Sequence, residues 1–107
     1  MPYTLIAKEQ IPQQLFKAED VLKSTEERNN RLALLQQAFQ SNRSSYSKAR
    51  IVFETAIETL EVIDHVWEIT DKNVLLKGGI TLPISSIKEV GIVGARIMEN
   101  PIAQGTN

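Results

Sequence analysis

The chain has 107 residues, 42% hydrophobic and 23% charged, with a formal net charge of -1. That balance supplies apolar material for one core and excludes a wholly disordered chain, which would combine low hydrophobicity with high net charge. With no cysteine, disulfides, thiolate nucleophiles and cysteine zinc sites are excluded, a usage that suits the cytoplasm, while a near-neutral total leaves room only for local charged patches.

Met1-Pro2-Tyr3 lacks the basic start of a leader, and no apolar run nears the ~20 residues that span a bilayer, so neither a targeting nor a membrane segment is expected. Residues 1–23 read as a partly helical arm. Tyr3 to Ala7 is a short apolar run, Pro12 suits a first helical turn, and Leu15, Ala18 and Leu22 fall at helical spacing. Ser24-Thr25-Glu26-Glu27 has the pattern of a capping box, which predicts a helix from about Thr25. Leu32, Leu35 and Phe39 form its apolar stripe, and Ser41, Asn42, Ser44 and Ser45, which compete for backbone hydrogen bonds, predict its end near Gln40.

From Ala49 the period changes to two, with Ile51 and Phe53 on one face and Arg50, Val52 and Glu54 on the other. The run Thr59 to Thr70 is too long for one flat strand and carries apolar groups on both faces: Ile63, Trp67 and Ile69 on one, Leu60, Val62 and Val66 on the other. It is expected to bend and serve two sheets. Asp71-Lys72-Asn73 is a turn. Val74 to Lys77 is a third strand, Gly78-Gly79 a two-residue hairpin loop, and Ile80 to Ile84 a fourth strand, with Pro83 confined to an edge or bulge. Ser85-Ser86 suggests a tight helical turn before a fifth strand, Lys88 to Val93, and residues 94–107 read as a loose tail.

The expected fold is α+β and mainly β: an N-terminal helix followed by a five-stranded antiparallel small barrel spanning, with its helix, residues 24–93. The order Gly78-Gly79, Ile80, Leu82-Pro83, Ser86-Ile87 and Val90 resembles the end of Src-homology-type barrels, where a strand, one helical turn and a last strand follow in succession. The preceding helix resembles that of Sm-like barrels. Asp71, Asn73 and Leu75 are similar to the first Sm motif and Lys77-Gly78 to the basic-glycine step of the second, but here the two run together, so no RNA contact is carried over. The stretch from Val66-Trp67-Glu68-Ile69-Thr70 through Leu76-Lys77-Gly78-Gly79 to Leu82-Pro83-Ile84 resembles small bacterial proteins with no established activity, which implies architecture only.

Little in the chain points to catalysis or to a metal or other cofactor. His65 is the one side chain whose ordinary pKa lies near neutrality, and its neighbour Asp64 faces the other way on a strand. It reads as a structural strand residue. Glu54, Glu58, Glu61, Asp64, Glu68 and Asp71 read as a solvated face, and Gly91-Ile92-Val93-Gly94 lacks the lysine and helix of a phosphate cradle. Trp67, Phe39 and Phe53 are expected in the core.

Charge is segregated along the chain. Residues 28–53 hold Arg28, Arg31, Arg43, Lys48 and Arg50 with no acid, and residues 54–71 hold six acids with no lysine or arginine. In one reading the two segments face each other across the first hairpin, with Arg50 and Lys48 opposite residues such as Glu58 and Glu61, each pair adding roughly 0.2–1 kcal/mol. In the other, Arg28, Arg31, Arg43, Tyr46, Lys48 and Arg50 form a nucleic-acid surface, arginines on phosphate and a ring on a base. The function expected first is a non-enzymatic interaction module that binds a protein partner or another copy of itself, because the arm carries Leu5, Ile6, Ile11, Leu15 and Phe16, more apolar surface than a free tail needs. The alternative is a nucleic-acid-binding small barrel.

Overall fold

The structure, a computed structural model, describes residues 3–93; the expected tail, 94–107, lies outside them. In chain order the elements are β1 (Thr4–Leu5), a 3-10 segment (Lys8–Gln13), α1 (Thr25–Ser45), β2 (Lys48–Glu54), β3 (Thr59–Asp64), β4 (Val66–Ile69), β5 (Asn73–Leu76), β6 (Thr81–Pro83), a 3-10 turn (Ile84–Ser86) and β7 (Ile87–Val93). The fold is α+β and mainly sheet. No five-stranded barrel closes: the strands form two sheets, ordered β1-β3-β2-β7 and β4-β5-β6.

The bend expected in Thr59 to Thr70 is where the sheets part. The run breaks at His65, whose backbone N–H donates to Asp64 Oδ1 at 2.7 Å instead of to a ladder, so that β3 belongs to one sheet and β4 to the other. The outer edge of β3, which closure would require, is taken by β1 in parallel pairing, Thr4 beside Leu60. The helix packs against β7 and β4. With β1 beside β3 and α1 packed against β7 and β4, the strands remain two sheets and do not close into one barrel.

α1 starts as its capping box dictates: Ser24 Oγ accepts from the Glu27 backbone N–H at 3.1 Å, and Glu27 reaches back to the Ser24 N–H. It runs past Gln40 to Ser45, so the serine and asparagine run does not stop it. Its buried face is Arg31, Leu35, Ala38 and Asn42, with Phe39 partly buried, and Leu32 is exposed. Of the expected stripe only Leu35 is fully buried; hydrophobic spacing missed Ala38 and, because they are polar, the two end positions Arg31 and Asn42.

The core is built from Ile51 and Phe53 of β2, Leu60 and Val62 of β3, Val66 of β4, Val74 and Leu76 of β5, Leu82 and Ile87, closed by Leu35 and Ala38 from the helix. The arm supplies the rest. Ile11, fully enclosed, belongs to the same cluster, with Ile6 and Phe16 packed on it, and Phe16 meets Phe53 at 6.2 Å between ring centres. Residues 14–24 are not helical; they cross the surface, where Leu15 O accepts from Ala56 N at 2.7 Å and Val21 N donates to Ser85 O at 2.9 Å. Lys8 ties the arm down by pairing with Asp64 at 2.7 Å and donating to Lys77 O at 2.7 Å. Because the arm fills the interior, Trp67 is not a core residue: it is 50% exposed, on the face opposite Leu60, Val62 and Val66.

Pro83 sits on the edge strand β6, in register with Asn73. The β5–β6 loop is Lys77-Gly78-Gly79, three residues instead of two, since Leu76 N donates to Ile80 O at 2.8 Å. Both glycines have positive φ, 91° and 86°. Among the described residues, no helix is long and apolar enough to cross a membrane.

Candidate functional site

The C-terminal end of α1 gathers most of the unspent chemistry. Asn42 is buried, and its Oδ1 lies 2.9 Å from His65 Nδ1, which also lies 3.2 Å from the Ser47 carbonyl. A carbonyl can only accept, so His65 carries its proton on Nδ1. This bond is why the helix survives its serine and asparagine run: the asparagine that would compete for backbone has a buried partner instead.

Tyr46 then ends the helix in the left-handed conformation, φ 55° and ψ 36°, its N–H donating to Asn42 O at 2.9 Å. Glycine or asparagine usually occupies such a cap, because a Cβ is strained there. The compensation is visible. The phenol stacks on His65 with ring centres 3.9 Å apart and planes 21° apart, and its hydroxyl accepts from Lys77 Nζ. Lys77 is itself positioned by its backbone N–H, which donates to His65 O at 3.2 Å. The Tyr46 hydroxyl holds the Lys77 ammonium above its ordinary pKa, so it is charged at neutral pH.

One turn back, the Arg43 guanidinium lies 5.6 Å from the centre of the Phe39 ring. Phe39, Asn42, Arg43 and Tyr46 line one side of an open cleft of about 400 Å³, and Trp67 of β4 lines the other. Tyr46 and Trp67 are both about half exposed. No carboxylate is among the lining residues. The site is therefore aromatic and cationic, with one histidine locked beneath it.

The six residues proposed from the sequence do not form one surface. Arg31 is buried at the other end of the helix, its guanidinium bidentate on Asp20 at 2.7 and 2.8 Å and donating to Ile87 O at 3.1 Å. Arg28 lies 3.6 Å from the same carboxylate and bonds Leu22 O. Arg50 pairs with Glu61 and, at 3.5 Å, with Glu89 of β7; the pairing across the hairpin is diagonal, since the register sets Arg50 beside Ile63 and Glu61 beside Val52, and it raises the guanidinium pKa. Lys48 does not oppose Glu58, because the register sets Ala49 beside Asp64 and leaves Lys48 beside Val93. Arg43, Tyr46 and Lys48 remain exposed at one end of α1, and among the described residues neither Arg43 nor Lys48 has a carboxylate partner.

Sequence reasoning missed Trp67, Lys77 and Asn42 as members of this site. The signal for Trp67 was its parity: it falls on the face opposite Leu60, Val62 and Val66. Among the described residues no three metal-ligating side chains cluster. No protein-family model matches the chain, and neither the curated proteins nor the solved structures contain a match.

Proposed function

We propose that the protein is a non-enzymatic binding module and that the cleft between the last turns of α1 and strand β4 is where its partner docks. The observation that carries this reading is Trp67, the chain's only tryptophan, half exposed across an open cleft from an equally exposed Tyr46. Large aromatic residues left in water beside an arginine are the composition of interface hot spots, where a few such side chains supply most of the binding energy. The strained cap adds support, because backbone strain held in place by surrounding contacts is concentrated at working sites.

The arm contributes less than its sequence suggests. Ile6, Ile11 and Phe16 are satisfied within the protein's own core, so they give no reason to expect self-association. His65, hydrogen-bonded and covered, supports the ring above it, and among the described residues its ring bonds Asn42 and the Ser47 carbonyl rather than a carboxylate or nucleophile.

The test is affinity capture from cell extract with the wild-type chain, Trp67→Ala, Arg43→Glu and, as a control just before the N-terminal end of the helix, Lys23→Glu. The reading predicts that whatever species wild type and Lys23→Glu retain is lost by both cleft variants, with circular dichroism unchanged. Equal retention by all four proteins would remove the cleft from consideration.

A further inference from the structure

We infer that the cleft takes single-stranded nucleic acid, one base stacking between Tyr46 and Trp67 while the adjoining phosphates meet Arg43, Lys48 and Lys77. The inference rests on the binding reading above and names its partner.

Charge argues first. The cleft lining carries Arg43 and no carboxylate. Lys77 stands at the Tyr46 hydroxyl, and Lys48 is two residues beyond Tyr46, which is at most about 7 Å of chain. An anion is the complementary ligand, and a cationic one such as a methylated lysine is repelled despite the three aromatic rings. The negative end of the α1 dipole opposes an anion here, but two of the carbonyls that carry it, those of Ser41 and Asn42, already accept from Ser47 N and Tyr46 N. Three full positive charges outweigh what remains.

Shape argues second. His65 covers one face of the Tyr46 ring at stacking distance, Lys77 Nζ lies 5.0 Å from the ring centre, and the ring, half exposed, lines the cleft as a platform. A flat ligand continues that stack, and a nucleobase is the flat group that comes with an anion on each side. An acidic peptide offers the charge but no planar group of that size at each step. Every base has a π face, so such a site tolerates sequence and prefers strands whose bases are not already paired.

The test uses the full chain and a dye-labelled 12-nucleotide oligothymidylate and oligouridylate, followed by anisotropy at about 50 mM salt, with an unlabelled oligoglutamate peptide as competitor. Binding is expected to weaken with salt at a log–log slope of about -0.7 per phosphate contacted, near -2 for three cations. Trp67→Ala is expected to weaken it about tenfold or more, Trp67→Phe less, and Arg43→Glu to weaken it and flatten the salt slope. In the unlabelled wild type the oligonucleotide quenches the single indole. No anisotropy change with either oligonucleotide overturns the inference. So does tight binding of oligoglutamate with quenching of Trp67 in its place; in that case the binding cleft stands and only its partner class is wrong.

Discussion

At the scale of single residues, two polar side chains sit in the buried stripe of α1 and each is answered by a partner that hydrophobic spacing does not reveal. Asn42 is answered by His65, and Arg31 by Asp20 of the arm. Asp20 has its carboxyl pKa lowered from 3.8, chiefly by the hydrogen bonds from Arg31, with the Leu22 backbone N–H adding to it against the effect of burial. A depressed folded-state pKa means that the unfolded chain binds the proton first, so stability from this group is complete above about 3.8 and is lost as pH falls through the lower folded value. Urea unfolding of wild type and Asp20→Asn therefore gives a stability difference that is constant from pH 7 to about pH 4.5 and shrinks below it. A difference that stays constant down to pH 2 would show that the carboxylate is not held by Arg31. The basic candidates that the sequence singled out were legible as charges but not as free charges, since the acid that claims Arg31 and Arg28 lies in a segment outside the basic run.

At the scale of elements, local rules were enough wherever the determining residues were neighbours. The Ser24 capping box set the helix start, period-two alternation set β2, and Pro83 and Ser85-Ser86 marked the edge strand and the 3-10 turn. The helix end was not legible, because it depends on His65, which is far along the chain yet bonds Asn42 and stacks on Tyr46. The β5–β6 loop offers a clean test of backbone conformation. Gly79 has φ 86° and open space where a Cβ would stand, so Gly79→Ala costs only left-handed strain, roughly 1–2 kcal/mol. Gly91 in β7 also has open space and no positive φ, so Gly91→Ala is neutral or slightly stabilising. Equal effects of the two substitutions on the urea midpoint would refute the positive φ at Gly79.

At the scale of the whole molecule, the balance between helix and sheet was legible and the closure was not. A barrel was expected because five strands with tight turns need somewhere to hide their edges. Here β1 covers one flank and α1 packs along others, so two sheets suffice. The same rearrangement decides where the aromatic bulk goes. The arm sends Ile11 inside and Phe16 against Phe53, which leaves the indole of Trp67 outside, beside Tyr46 and Arg43. The functional account depends on that exchange: the tryptophan is surface, free for a partner, and the interior stands without it. Equilibrium unfolding of Trp67→Ala, followed by circular dichroism beside Phe53→Ala, tests this most directly. The expected losses are below about 1 kcal/mol for Trp67→Ala and about 3–5 kcal/mol for Phe53→Ala. A Trp67→Ala chain as destabilised as Phe53→Ala would return the indole to the core and leave the cleft without its principal residue.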